Sequence, residues 1–185
     1  MNNSCLIAIV GRPNVGKSAL FNRIAGRRIA IVHDQPGVTR DRISAEVEWQ
    51  GRPFTLVDTG GIGLVPGEKS DDVIATATVD QVDIAIEAAE VILFVVDVRE
   101  GIVPLDIEVS QLLHKSGKPV HLVANKADHG EAADGADDFA QLGFEETYPV
   151  SALHDRGIEP LMKTALQDLP EVDVDAPVPS DQSTA

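Results

Sequence analysis

The sequence predicts an α/β fold: a doubly wound, mostly parallel six-stranded sheet with one antiparallel edge strand and helices on both faces. Two observations predict this class. Short apolar runs alternate along the chain with segments of helical spacing, which is the pattern of repeated strand–helix–strand units. Two of the runs, Cys5–Val10 and Val91–Val96, are apolar at every position, as expected of strands buried on both faces of a parallel sheet.

Six runs define the predicted strands. The second run, ISAEVEW, alternates between apolar and polar residues, which indicates a half-exposed strand at the edge of the sheet. The Gly-Arg-Pro turn after it predicts that the next strand returns antiparallel. In chain order the predicted strands are Cys5–Val10, Ile43–Trp49, Phe54–Asp58, Val91–Val96, Val120–Ala124 and Thr147–Val150.

Five segments have helical character. In the first, Leu20, Phe21 and Ile24 recur on one side, which predicts an amphipathic helix packed on the sheet. The others lie between later strands or after the last one, where parallel strands require crossover connections. In chain order the predicted helices are Lys17–Ala25, Asp71–Ala89, Leu105–Lys115, Asp134–Gln141 and Gly157–Leu169.

Length and composition limit the alternatives. The chain has 185 residues, 43% of them hydrophobic and 24% charged, which is globular composition. A single cysteine excludes an internal disulfide framework and a cysteine-based zinc cluster. Apolar runs of six residues are far below the ~20 that a membrane span needs, and the N-terminus lacks the basic and long apolar regions of a signal peptide. We therefore expect a cytoplasmic protein with no membrane partner.

Charge is unevenly spread over a chain whose net charge is −15. Residues 1–60 carry eight Lys or Arg against five Asp or Glu, a net charge of +3. Residues 130–185 carry two against thirteen, a net charge of −11. The positive charge gathers around a glycine-rich motif, which suits a phosphate ligand, and the acidic C-terminal third disfavours strong nucleic-acid binding by this chain alone.

The composition also predicts one domain boundary. Residues 170–185 (PEVDVDAPVPSDQSTA) contain three prolines and four acidic residues and almost no large apolar side chain. Such a segment cannot bury a core, so we expect a flexible acidic linker or tail there and a single domain over residues 1–169.

The glycine-rich motif predicts a phosphate site. Gly11-Arg-Pro-Asn-Val-Gly16-Lys17-Ser18 fits GxxxxGK[ST], with a predicted strand before it and a predicted helix after it. The glycines allow backbone N–H groups to surround phosphates, Lys17 places a cation on the β- and γ-oxygens, and the Ser18 hydroxyl binds Mg²⁺. The helix that starts here adds its N-terminal dipole.

A second motif selects the base. Asn125-Lys126-Ala127-Asp128 follows the run Val120–Ala124 and is expected on the same sheet edge as the phosphate loop. A carboxylate at Asp128 can accept from guanine N1–H and the 2-amino group, two donors that adenine does not offer together. Asn125 can bridge neighbouring loops, and the Lys126 stem can lie over the base. Ser151-Ala152-Leu153 would supply a backbone N–H to the guanine carbonyl.

Two further positions complete the predicted metal and γ-phosphate contacts. Asp58, in Asp58-Thr-Gly-Gly61, ends a strand and can hold Mg²⁺ through water, while Gly61 can donate its N–H to a γ-phosphate. Thr39, in the loop after the first helix, is the candidate second hydroxyl ligand. We therefore predict Ser18, Thr39 and Asp58 as metal ligands.

The order of these motifs resembles that of a translation-factor-class P-loop GTPase with a Ras-like fold. The sequence around the motifs narrows this resemblance to one family. Five segments of the sequence resemble the first GTPase domain of the Der (EngA) family, which belongs to the Era-like GTPases. These segments are GRPNVGKSALFNRIAGRR, PGVTRDR, FTLVDTGGI, VILFVVDVREG and SGKPVHLVANKAD. The resemblance implies a second GTPase domain and a KH-like domain in cis, and action with the large ribosomal subunit and its rRNA through the full-length protein. It also implies that this chain is a fragment ending in an interdomain linker.

A departure from Ras-like proteins concerns catalysis. The position of the water-orienting glutamine is Ile62 here, which has no polar side-chain atom. Similar GTPases hold a potassium ion with an asparagine that matches Asn14, which implies K⁺-stimulated hydrolysis; the alternative is that Asn14 caps its own loop. The predicted catalytic residues are Lys17, Asn14, Thr39 and Gly61. The predicted nucleotide-binding residues are Gly11, Asn14, Val15, Gly16, Lys17, Ser18, Ala19, Asp58, Gly61, Asn125, Lys126, Asp128, Ser151, Ala152 and Leu153.

These features favour a switch that binds GTP or GDP with Mg²⁺ and hydrolyses GTP. The loops around His33–Arg42 and Ile62–Asp72 are expected to order with GTP and relax with GDP. Two alternatives stay open: a guanine-nucleotide sensor with negligible hydrolysis, and a single-domain Era-like GTPase. A nucleotide kinase is disfavoured because the base-selecting motif has no role there.

Overall fold

The computed structural model describes residues 5–26, 31–33, 43–60, 70–130 and 134–171. Seven strands lie within these ranges; they are β1 (Leu6–Val10), β2 (Ile31–His33), β3 (Ile43–Trp49), β4 (Arg52–Asp58), β5 (Val91–Asp97), β6 (Val120–Asn125) and β7 (Thr147–Pro149). They form one sheet of order β2-β3-β4-β1-β5-β6-β7. The predicted fold class is confirmed.

The strand directions follow the prediction, with one addition. Strands β4, β1, β5, β6 and β7 run parallel to one another, and β3 is antiparallel to both of its neighbours, β2 and β4. All six predicted strands are present, and β2 is a seventh that pairs outside β3, so β3 lies next to the edge rather than at it. A three-residue strand is too short to show a periodic pattern in the sequence.

Four α-helices and one 3₁₀-helix lie within the described ranges, between the strands or after the last one. They are α1 (Lys17–Gly26), α2 (Asp71–Ala88), α3 (Pro104–Ser116), the 3₁₀-helix (Gly135–Leu142) and α4 (Ile158–Gln167). The predicted helix Asp134–Gln141 is therefore mostly a 3₁₀-helix. Its buried residues Ala136, Phe139 and Leu142 are spaced by three, which is the period of a 3₁₀-helix and not of an α-helix.

Two hydrophobic layers place the sheet between the helices. Ile7 and Ile9 of β1 face a cluster with α1 and α4, while Ala8 and Val10 face a second cluster with α2, α3 and the 3₁₀-helix. Every residue of the interior strand β5, next to β1, is buried. Burying a large apolar side chain contributes about 1.5–3 kcal/mol, so these two layers hold the strand ends that carry the site in fixed positions.

The end of α4 is tied back to the sheet. Arg52, at the start of β4, donates to the carbonyl of Leu166 and, at 3.2 Å, to that of Leu169. The predicted tail, residues 170–185, lies outside the described residues from position 172 onward, so the boundary at residue 169 stays a prediction. Among the residues that the structure describes, no helix has the length and apolar character needed to cross a bilayer.

Candidate nucleotide-binding site

The glycine-rich motif forms a tight loop between β1 and α1. Gly11 has φ 150°, and a Cβ there would lie 2.5 Å from the Val95 carbonyl oxygen of β5. Gly16 has φ 93°, and a Cβ there would lie 2.2 Å from Asn125 Nδ2. Both positions therefore require glycine, because the loop backbone runs directly against β5 and the end of β6.

Lys17 places a buried cation inside this loop. The residue is only 6% exposed, and its Nζ donates to the carbonyls of Gly11 and Arg12, both at 2.8 Å. Burial lowers the pKa of Lys17 to about 8, with Asp58 opposing the shift and Arg12 adding to it. An anionic ligand at this position would favour the charged form, so the loop is built to gain from binding a phosphate.

Ser18 and Asp58 bring two oxygen atoms that could bind a metal ion together beside the loop. Ser18 Oγ donates to Asp58 Oδ2 at 2.9 Å, and the Gly60 N–H donates to Asp58 Oδ1 at 2.8 Å. Thr59 Oγ1 donates to the Ile9 carbonyl at 2.7 Å, which fixes the end of β4 against β1. Hydroxyl and carboxylate oxygens are the ligands that Mg²⁺ prefers, so this pair fits the predicted metal site.

Asn125 links the loop to the far side of the site. It lies at the end of β6 and is 2% exposed. Its Nδ2 donates to the Val15 carbonyl at 2.9 Å, and its Oδ1 accepts from the Ala152 N–H at 3.1 Å. One side chain thus bridges the phosphate loop and the Ser151–Leu153 loop, as its place in the sequence suggested.

Asp128 lies in a small cavity on the same sheet edge. Ser151 Oγ donates to Asp128 Oδ1 at 2.6 Å, and this hydrogen bond, with the Arg99 guanidinium at Oδ2, holds the pKa of Asp128 below its usual value. The carboxylate is therefore ionised at neutral pH. The cavity has a volume of about 180 Å³ and is lined by Gly16, Ala19, Arg99, Asn125, Lys126, Asp128 and Leu153.

Comparison with known proteins decides the family. Residues 6–126 match the family described as 50S ribosome-binding GTPase. The chain belongs to this family.

Several curated relatives of the chain are named GTPase Der. The chain is 53% identical over 171 residues to GTPase Der of Caldanaerobacter subterraneus subsp. tengcongensis, covering 92% of this chain and 38% of that one. It is 50% identical over 176 residues to GTPase Der of Desulforamulus reducens, covering 95% and 38%. The chain therefore spans a little over a third of the length of these relatives.

Solved structures of Era have the same fold. Aquifex aeolicus Era bound to GDP·AlF₄⁻ is 33% identical with a TM-score of 0.68, over 91% of this chain and 57% of that one. Era in complex with MgGDPNP and a segment of 16S ribosomal RNA is 33% identical with a TM-score of 0.71, over 96% and 60%. The G domain of the T. maritima iron transporter FeoB shares the fold, with 24% identity and a TM-score of 0.63 over 90% of this chain and 99% of that one.

The structure of this family member brings most of the predicted site residues together. They lie in loops, at the ends of β4 and β6 or in the first turn of α1, all at one edge of the sheet; they are Gly11, Asn14, Val15, Gly16, Lys17, Ser18, Ala19, Asp58, Asn125, Lys126, Asp128, Ser151, Ala152 and Leu153. Thr39 and Gly61 lie outside the described residues, as do the loops 34–42 and 61–69. Their predicted roles stay predictions.

Lys126 has partners that sequence reasoning missed. Its Nζ donates to the Asn14 carbonyl at 2.7 Å and to Asp97 Oδ2 at 2.6 Å. Asp97 ends β5, is 2% exposed, and faces Lys126 because its own backbone pairs with Asn125 across the parallel strands β5 and β6. The signal was available: an acidic residue directly after an apolar strand points to the ligand edge of the sheet.

Arg12 and Arg23 anchor the loops from outside. Arg12 pairs with Asp106 of α3 at 3.3 Å and with Glu100 at 2.7 Å. Arg23 of α1 donates to the carbonyls of Ala152 at 2.8 Å and Leu153 at 2.9 Å. These contacts hold the phosphate loop to α3 and the 151–153 loop to α1, and no short motif in the sequence indicates them.

Proposed function

We propose that the chain is a G domain that binds GTP and GDP together with Mg²⁺ and hydrolyses GTP. The observation that carries the proposal is the Asp128 carboxylate, which lies in the wall of a cavity shared with Gly16 and Ala19 of the phosphate loop and its helix. A nucleotide with its phosphates in that loop would place its base in this cavity.

Base selection would come from the two oxygens of Asp128. Guanine presents N1–H and a 2-amino group side by side, and an ionised carboxylate accepts from both. Adenine lacks this pair of donors, and a bidentate contact to a base is worth about 1–3 kcal/mol of discrimination. Lys126 would lie along the base, held in place by Asp97 and the Asn14 carbonyl.

Phosphate binding would use the loop amides and Lys17. Ser18 and Asp58 would hold Mg²⁺, with Thr39 expected as a further ligand and the Gly61 N–H expected on the γ-phosphate. Bound Mg²⁺ offsets the negative charge of the β- and γ-phosphates. Lys17, already inside the loop, would exchange its contacts to the Gly11 and Arg12 carbonyls for phosphate oxygens.

Hydrolysis would not use a glutamine at position 62, where this chain has isoleucine. The proposal includes a potassium ion near Asn14, whose side chain is exposed in a turn with φ 68°. It predicts faster hydrolysis in KCl than in NaCl at equal ionic strength, and loss of that difference in Asn14→Ala. Equal rates of the wild type in the two salts would remove potassium from the proposal.

The larger context is also proposed from the relatives. The chain matches a little over a third of the length of proteins named GTPase Der, and we propose that it acts as the first G domain of such a cytoplasmic protein, with further domains in cis. The family description, 50S ribosome-binding GTPase, supports the large ribosomal subunit as the partner of the whole protein. The Era complex with 16S ribosomal RNA supports a ribosomal partner in general and not the large subunit.

The experiment that tests the function measures binding and turnover separately. Calorimetric titration with GDP and ADP is expected to give binding of GDP alone, and single-turnover assays with excess protein are expected to release phosphate from GTP. Lys17→Ala serves as the control that loses both. Equal binding of ADP would contradict the base assignment, while GDP binding without turnover, with and without ribosomes, would favour a nucleotide sensor.

A further inference from the structure

Arg99 occupies a place at the base cavity that no motif assigns to it. It lies in the turn after β5, where its backbone N–H donates to Asp97 Oδ1 at 2.9 Å. Its side chain lines the cavity together with Lys126 and Leu153, and its Nη2 contacts Asp128 Oδ2. The protein's own guanidinium therefore reaches the carboxylate that would read the base.

The two oxygens of Asp128 differ in what they can still accept. Oδ1 already accepts from Ser151 Oγ at 2.6 Å, and a carboxylate oxygen has a second acceptor site, so this contact can persist beside a bound base. Oδ2 is contacted by a charged donor from the cavity side. Oδ2 has a second acceptor site too, but Arg99 itself lines the cavity that a guanine base would enter, so the base and the guanidinium would meet at Oδ2.

We propose that Arg99 is an intramolecular competitor of the base for Asp128, which lowers the affinity for guanine nucleotides and speeds their release. The inference rests on the proposed function, because it requires Asp128 to bind guanine. No role in the chemical step is assigned to Arg99; it acts only through the availability of Asp128.

The exposure of the two partners makes them suited to this exchange. The side chain of Arg99 is 60% exposed, whereas that of Asp128 is only 6% exposed. The guanidinium can therefore move into solvent at little cost when a base enters. As the base leaves, Arg99 can take its place at Oδ2, while Ser151 Oγ keeps its hydrogen bond to Oδ1 in both states. Because the guanidinium takes the place of the departing base, we expect the effect mainly on release.

The size of the effect follows from the exposure of the pair. Ion pairs with a solvent-exposed partner are weak, and their measured contributions correspond to changes of about two- to fivefold in an equilibrium constant. We therefore expect Arg99→Ala to bind GDP about two- to fivefold more tightly, mainly through a slower dissociation rate.

The test measures both rate constants on the full 185-residue chain. Association and dissociation of GDP that carries a fluorophore on its ribose are followed by stopped flow in Mg²⁺ for the wild type, Arg99→Ala and Arg99→Lys. Arg99→Lys keeps the charge without the planar fork, so an intermediate dissociation rate is expected. Lys115→Ala removes one positive charge at an exposed site of α3 outside the cavity and is expected to keep the wild-type rates.

The sign of the change separates the explanations. Weaker GDP binding by Arg99→Ala would make Arg99 a contact of the bound nucleotide or a source of attraction, and unchanged rates would make the pair a surface feature; either result overturns the inference. Failure of the proposed function appears differently, because the wild type would then bind ADP as well as GDP or bind neither, whatever residue stands at position 99.

Discussion

The phosphate side and the base side of the site are held together in different ways. On the phosphate side the backbone itself is the scaffold: Gly11 and Gly16 approach β5 and β6 so closely that a Cβ would overlap their atoms. On the base side, side-chain contacts hold the loops in place. Asn125 links two loops, Asp97 holds Lys126, and Ser151 and Arg99 contact Asp128.

This difference predicts two kinds of response to substitution. A change of shape at the phosphate loop has nowhere to relax, since the adjacent strand is buried on both faces, so its effects should be all or none. Loss of one tie on the base side leaves the remaining ties in place, so its effects should be graded.

The largest effect is expected for Gly16→Ala. The new Cβ would lie 2.2 Å from Asn125 Nδ2 at a φ of 93°, so both strain and overlap oppose the loop. Strained positions cost about 1–3 kcal/mol, and overlap adds to this, so we expect GDP affinity to fall by about 100-fold or more.

Gly51→Ala is the matched control for this measurement. Gly51 has φ 80° but no atom within 4 Å of a built Cβ, and it lies in the turn between β3 and β4, which carries no predicted site residue. It should lose some stability through strain alone and keep the wild-type GDP affinity. Equal losses of affinity in the two variants would show that backbone strain, and not the close approach to Asn125, is what the loop cannot tolerate.

An intermediate effect is expected for Asn125→Ala, which removes the tie between the two sides. The Val15 carbonyl and the Ala152 N–H would lose their partners inside the protein. Each unpaired buried group costs about 1–3 kcal/mol, so we expect a melting temperature lower by roughly 5–15 °C and a GDP affinity lower by about 10- to 100-fold. Asn125→Asp keeps the acceptor for the Ala152 N–H and should lose less melting temperature and less GDP affinity. A melting temperature unchanged in both variants would show that Asn125 does not hold the two loops together.

The smallest effect concerns protons and tests the phosphate side alone. The pKa of Lys17 lies near 8, below its ordinary 10.5, and a bound phosphate should raise it. Above pH 8 the free protein has largely lost this proton and the bound protein keeps it, so GDP binding should take up most of one proton at pH 9 and clearly less at pH 7.5. Calorimetry in buffers of different ionisation enthalpy measures the uptake, and equal uptake at both pH values would contradict the shifted pKa.

Sequence reasoning succeeded where neighbours in the chain are also neighbours in the site. The phosphate loop and the base motif are contiguous segments between a strand and the element after it, so their spacing reveals them. Arg12 with Asp106, and Arg99 with Asp128, lie far apart in the chain and meet only because the strand order brings β1, β5 and β6 side by side. The strand Ile31–His33 was missed because three residues carry no period.

If the Asp128 carboxylate selects the guanine base, replacing that base with xanthine should reveal it. Equilibrium binding of GDP and of xanthosine diphosphate is measured for the wild type, Asp128→Asn and the control Asp137→Asn, which removes the same charge at an exposed site. Xanthine replaces one guanine donor with an acceptor, which an amide can meet with its N–H. We expect Asp128→Asn alone to lose about 10- to 100-fold in GDP affinity and to prefer the xanthine nucleotide. Wild-type GDP affinity in Asp128→Asn would contradict it.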